Sequence, residues 1–211
     1  MRRLLGLLPV LAASTLQAQA ITAIKAGQFI DVDKGEVRAN QVIVVKGDRI
    51  QAVLPAGSPL PRGAAVIDLS GYTVSPGLID CHTHLEDPAQ TASVADPFTT
   101  SAAQNAFFGV RYARATLLAG FTTVRDVGTF RAFVDVALRD AINDGTVPGP
   151  RMKVAGAYVT VSTGGGEVTG LAPDVIPPPD FRRGVANSAT EVRQRVRDIL
   201  NGGADFIKVI A

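Results

Sequence analysis

The chain has 211 residues, is 46% hydrophobic, and carries 21 basic against 19 acidic side chains for a formal charge of +2. That near-balance, with no basic patch or basic–aromatic interleaving, excludes a nucleic-acid footprint. A single cysteine excludes an intrachain disulfide, so stability must rest on burying the ample apolar fraction.

Residues 1–20 read as a secretory signal: Arg2-Arg3 form a positive start, Leu4 to Ala13 an apolar run, and Ala18-Gln19-Ala20 a small-x-small cleavage site. That run is too short to span a bilayer, and no later segment is long enough for a transmembrane helix. A secreted, periplasmic protein with no stable membrane anchor is expected. Without Arg2 and Arg3, basic and acidic residues are equal in number.

Residues 21–71 are strand-like. Apolar or alternating runs (Ile21 to Ala26, Gln41 to Val45, Ile50 to Val53, Ala65 to Asp68) are separated by turn signals at Gly27, Lys46-Gly47-Asp48 and Pro55-Ala56-Gly57. They predict a small antiparallel β unit. From residue 72 to 211 strands alternate with helices. A buried strand, Tyr72-Thr73-Val74 and Leu78-Ile79, leads into His82-Thr83-His84; a helix is expected over 99–118, stopped by Gly120. Phe121 to Asp126 is the next strand, Ala132 to Ile142 a helix, and Met152 to Ala157 a third strand. Thr190 to Leu200 is a third helix with Ser188 or Thr190 as N-cap, and Asp205 to Ile210 a fourth strand. Such alternation implies parallel βαβ units in a barrel or a doubly wound sheet. A barrel needs eight units and about 250 residues. With four, the chain is expected to be the front half of a longer protein, or else a half-barrel that must pair.

The only two histidines, His82 and His84, sit two apart at a strand end. Residues i and i+2 of a strand face the same way with Cα atoms about 7 Å apart, so two imidazoles can converge on one divalent ion. Cys81 alternates to the opposite face and is expected to pack. Asp126, ending the next strand, is a candidate outer acceptor that orients a metal-bound imidazole. Thr163 to Gly170 is a glycine-rich loop without the Gly-Lys-Ser/Thr ending of a phosphate loop; it reads first as a flexible connection, with a substrate-contact loop as the alternative. Lys208 interrupts a strand expected to be buried on both faces, sharing one face with Phe206 and Ile210. If it points into a barrel, desolvation favours the neutral amine, which can add CO2 to give a carbamate able to bridge two ions.

Three segments together resemble the amidohydrolase superfamily: Pro76-Gly77-Leu78-Ile79-Asp80-Cys81-His82-Thr83-His84, Gly120 to Asp126, and Gly203-Ala204-Asp205-Phe206-Ile207-Lys208. Within it the chain looks most like the imidazolonepropionase-related peptidases, which include Xaa-Pro dipeptidases. The resemblance implies an α/β chain, the N-terminal half of a (β/α)8 TIM barrel preceded by a small β-sandwich segment. It implies two divalent metal ions, expected to be zinc, with His82 and His84 on the more buried ion and carboxylated Lys208 bridging both. The family's two further histidines and its aspartate acid/base fall on later strands, so no catalytic acid/base maps here and this chain alone is expected to be inactive. The implied reaction is hydrolysis of a peptide or amide bond in a dipeptide or N-acyl amino acid by metal-activated water. Cyclic-amide hydrolysis or deamination is the alternative within the superfamily, and a non-catalytic half-barrel the alternative outside it. Relatives often carry a histidine in the glycine-rich loop, which is absent here. Homo-oligomerisation is left open.

Overall fold

A computed structural model describes residues 20–87 and 99–210. Except for Ala20, the expected signal lies outside the described residues. Chain contacts divide the molecule after Pro76 into two compact units.

In the first unit Ile21–Asp31 (β1), Glu36–Lys46 (β2), Arg49–Pro55 (β3) and Ala65–Val74 (β4) form one sheet in the order β3-β2-β1-β4. β-Branched residues dominate Val42-Ile43-Val44-Val45, which suits a pleated, half-buried surface. Pairing is antiparallel between β1 and β2 and between β2 and β3. The sheet is nonetheless mixed, which corrects the antiparallel expectation: β4 lies parallel to β1, from Thr22 opposite Ala65 to Phe29 opposite Val74. The connection after β3 explains this. It crosses the sheet, packing Leu60 and Ala64 with the buried Ala23, Val42 and Val44, and so delivers β4 in the direction of β1. Tyr72-Thr73-Val74 is therefore the end of β4 and not the start of the histidine strand. Pro76, with no N–H to give a ladder, lies between the two.

The second unit begins with Leu78–Thr83 (β5), followed by Ala102–Leu118 (α1), Phe121–Asp126 (β6), Val134–Asn143 (α2) and Arg151–Val154 (β7). Then come Tyr158–Val159 (β8), Ala189–Asn201 (α3) and Lys208–Val209 (β9). β5, β6 and β7 form a parallel sheet in that order, and β8 pairs in parallel with β9. Each of these three α-helices among the described residues thus returns the chain for another parallel strand. Ser101 starts α1 through a reciprocal capping box with Gln104, and Ser188 starts α3 by accepting from the Glu191 N–H. α2 begins two residues later than expected because Phe133 adopts a left-handed φ of 70°. Val124, Met152 and Val154 of the sheet pack with Ala113 of α1 and Val136 and Leu138 of α2. A second cluster joins Ala157 and Val159 to Ile199 of α3.

Two expected strands are shorter than their apolar runs. The run 152–157 breaks because Gly156 serves α2 and not a ladder: its N–H donates to Asp135 Oδ2 at 2.7 Å and its carbonyl accepts from Phe133 at 2.8 Å. The fourth strand shrinks to Lys208–Val209 because Asp205 meets Val154 through both its N–H and its side chain, while also binding Lys153 and Arg139. Leu78 and Ile79 are exposed, contrary to the buried reading, because β5 is an edge with β6 on one side only.

Gly184 pins the chain beside β8. A Cβ there would stand 1.8 Å from the Tyr158 carbonyl oxygen, a backbone atom that cannot yield like a side chain. Gly184→Ala is expected to cost about 2–4 kcal/mol, lowering Tm by roughly 5–15 °C. An unchanged thermal melt would show that β8 tolerates displacement.

Candidate metal centre

β5 carries the histidine pair to the C-terminal end of the parallel sheet. The two rings stand 5.4 Å apart between centroids at an interplanar angle of 67°. His82 is exposed and His84 half-buried. His84 Nδ1 lies 2.7 Å from the Gly128 carbonyl oxygen. A carbonyl only accepts, so this contact places the proton on Nδ1 and leaves the Nε2 lone pair for a ligand. Burial pushes His84 below the usual histidine range, and the charges of His82 and Lys208 act the same way, against the Gly128 hydrogen bond and Asp87. Its neutral form is favoured, which is the form that binds metal.

A cavity of about 250 Å³ is lined by His82, His84, Phe130, Tyr158, Gly165, Lys208 and Ile210. All three residues proposed from sequence as metal ligands therefore face one space. Lys208 reaches it from β9, with Ile210 on the same face as alternation requires. Gly165 brings the glycine-rich loop into the lining, so that loop is part of the cavity wall and more than a connection.

Cys81 is exposed, which corrects its assignment to packing; β5 is an edge strand and leaves this face uncovered. Asp126 is fully buried, but it does not hold an imidazole. Its Oδ2 accepts from Thr83 Oγ1 at 3.0 Å and from the Leu85 N–H at 2.8 Å, thereby fixing the chain on both sides of His84. The orienting acceptor of the ring is instead the backbone at Gly128.

Behind the pair lie further acids that the sequence reading passed over. Glu86 and Asp135 are 0% exposed and Asp87 6%. Asp87 accepts from the Phe130 N–H at 2.7 Å and from Asn105 Nδ2 at 3.3 Å; Asp135 accepts from Gly156 and Val136. Both Glu86 carboxyl oxygens are without hydrogen-bond partners among the described residues. Burial raises all of these groups, Asp135 to about 6 and Asp126 to about 7, with repulsion from Asp135 adding to the rise of Asp126.

The donor set suits a divalent cation: two neighbouring imidazoles, one with its tautomer fixed, and an amine on the same cavity. No group of three His, Cys, Asp or Glu residues converges on an ion-sized point among the described residues, so Lys208 is the third donor that the cavity offers.

Residues 73–211 match the model of the amidohydrolase family. This chain belongs to that family. The ochratoxinase of Aspergillus niger is 32% identical over 221 residues, covering 96% of this chain and 44% of that protein. A solved structure of an Xaa-Pro dipeptidase with bound methionine matches with a TM-score of 0.78 at 34% identity, over 90% of this chain and 47% of that one. A prolidase complexed with N-methylphosphonate-L-proline gives 0.75 at 32% identity, over 90% and 46%. The chain thus spans about half the length of the relatives it matches. As a member of this family it has the fold of a partial (β/α)8 barrel preceded by a sheet segment, as the sequence led one to expect. The superfamily generally binds divalent metals.

The sequence reading missed Tyr158, Gly128 and Phe130 beside the histidines. A signal existed for one of them. Tyr158 brings a polar hydroxyl into an otherwise apolar strand run, and a buried tyrosine hydroxyl needs a partner.

Proposed function

We propose that this chain is the N-terminal half of a metal-dependent hydrolase that cleaves a peptide or amide C–N bond in a small substrate, an Xaa-Pro dipeptide or N-acyl amino acid. One observation carries the reading: His82, His84 and Lys208 line a single cavity at the C-terminal end of the parallel strands. That is the face on which barrel enzymes build active sites. The relatives named as ochratoxinase, Xaa-Pro dipeptidase and prolidase support the substrate class.

His82 and His84 would hold one divalent ion through their imidazoles. Lys208, once its amine adds CO2 and releases a proton, would supply a carboxylate to the metal centre. When bound, the metals lower the pKa of a water and polarise the scissile carbonyl. Asp126 keeps the chain on either side of His84 in place, Gly128 fixes the tautomer of its ring, and Phe130 and Ile210 give the cavity an apolar wall. Zinc is the metal proposed; histidine–carboxylate sites also accept manganese and cobalt.

The protein expressed from its complete reading frame is expected to hydrolyse Xaa-Pro dipeptides or N-acyl amino acids. Activity should be lost on chelation and restored by zinc, and 13C-bicarbonate should label one lysine. Metal-loaded protein that opens a cyclic amide or deaminates a base, while leaving both substrate classes intact, would overturn this substrate assignment.

A further inference from the structure

We propose that Tyr158 is a positioning residue for His84, acting through the carbonyl of Gly128. The inference rests on the reading of His84 as a metal ligand and adds to it the group that aims the ring.

Three polar atoms form a closed triangle. His84 Nδ1 is 2.7 Å from the Gly128 oxygen, Tyr158 Oη is 2.9 Å from the same oxygen, and Oη is 3.2 Å from Nδ1. The protons have one self-consistent arrangement. The Gly128 oxygen only accepts, so the 2.7 Å contact requires Nδ1–H. With Nδ1 protonated, the tyrosine hydroxyl cannot donate to it, so its proton also goes to the carbonyl. One backbone oxygen thus takes two donors, one on each lone pair, and the imidazole is left with Nε2 unprotonated.

Packing holds the triangle. Gly128 has φ +112°, and a Cβ there would lie 2.7 Å from Tyr158 Cε1, so the ring occupies space that only a glycine leaves open. Phe130 meets the tyrosine edge-on with centroids 5.4 Å apart at 78°. Tyr158 is 6% exposed and stands opposite Lys208 in the β8–β9 ladder. One side chain therefore links the residue that carries the candidate amine to the carbonyl that sets the histidine tautomer. Without the hydroxyl, the carbonyl loses one of its two donors and is free to turn, and the His84 ring with it.

The experiment compares the chain with Y158F, which keeps the aromatic ring and removes one oxygen. With only two histidines in the sequence, long-range 1H–15N spectra are simple to assign, using H82N as a reference. Wild type should show His84 wholly as the Nδ1–H tautomer. Y158F should retain its far-UV spectrum, show a mixture of tautomers at His84, and bind zinc about 10- to 100-fold more weakly by titration, the range typical of lost outer-sphere partners. Y158F with an unchanged tautomer and zinc affinity would overturn the proposal. A second measurement stands apart from any folding defect in the variant. In wild type with 13C-labelled glycine, the Tyr158 hydroxyl and His84 Nδ1 protons should both correlate with the Gly128 carbonyl carbon, and absence of either refutes the shared acceptor. Wild type that shows the locked tautomer and both correlations but binds no zinc would overturn the metal reading while leaving the hydrogen-bond geometry standing.

Discussion

His84→Asn is expected to weaken zinc binding by the chain more than about 100-fold, beyond the loss from an outer-sphere partner. The argument is one of donor count. In the proposed site the cavity presents two imidazoles and one amine, and removing either ring leaves a single imidazole beside the amine. His82→Asn should behave alike, although His82 is the more exposed ring. Asparagine is close to histidine in bulk up to Cγ, so the metal-free melting temperature should change little. What should disappear is the increment in Tm on adding zinc, since a ligand present at 100 times its Kd stabilises by about 2.7 kcal/mol. Cys81→Ser is the control. Its thiol is exposed and adjacent in sequence, and a thiolate is a good zinc donor. Zinc binding should survive that change. Binding lost in C81S and retained in H84N would place the metal on the sulfur and sink the histidine site.

The metal-free chain should become less stable as pH rises from about 4 to 8, the reverse of the usual trend for carboxylates in ion pairs. Asp135, raised to about 6, and Asp126, raised to about 7, bind protons more tightly when folded than when unfolded. Their contribution is complete below the ordinary carboxylate range near 4 and is lost as pH passes through the folded values. Glu86 and Asp87 shift in the same direction, again through burial. His84 opposes them: lowered by burial, it gains stability for the fold as pH rises toward 6.5. The lowered carboxyls Asp68, Asp144 and Asp205 act near and below pH 4, so across most of this window four acids stand against one base. Glu86→Met tests the cause. It replaces a carboxyl whose oxygens have no partner among the described residues with an apolar chain of similar length, and it removes repulsion from Asp126 and Asp135. Urea denaturation should show a gain of about 1–3 kcal/mol at pH 8, smaller at pH 5. A wild type that grows more stable between pH 5 and 8 would contradict the upward shift of these carboxyls.

How far the sequence exposed this molecule depends on the range of the forces involved. The histidine pair and Lys208 were legible because alternation along a strand is local: it sets which side chains share a face whatever lies beyond. The helices were legible for the same reason, with Ser188 one of the two caps the sequence offers, although α2 starts late at the left-handed Phe133. The strand ends were not. Gly156 leaves its ladder because Asp135, on another element, takes its N–H, and Asp205 ends the preceding turn by binding Val154 through a side chain. No periodicity encodes those partners. Asp126 was singled out correctly as a residue near the pair, yet its target was misread. Whether a buried carboxylate meets an imidazole or the backbone beside it depends on a displacement of a few ångströms that only the packed structure fixes. The parallel β4 was hidden for a like reason, since direction is set by the crossover that packs Leu60 and Ala64 on the sheet.

The break at Gly156 has a consequence for the centre itself. β5 to β7 form one sheet and β8 to β9 another, so the imidazoles and the amine ride on separate hydrogen-bonded plates, joined at a seam by Ala155-Gly156-Ala157 and by the Asp205–Val154 hydrogen bonds. Within a plate, spacing is quantised by the strand repeat. Across the seam no shared ladder sets it; the contacts of Asp205 with Val154, Lys153 and Arg139 place Lys208 relative to the histidines. The separation of Lys208 from the histidine pair is thus a dimension set from outside the proposed ligand residues.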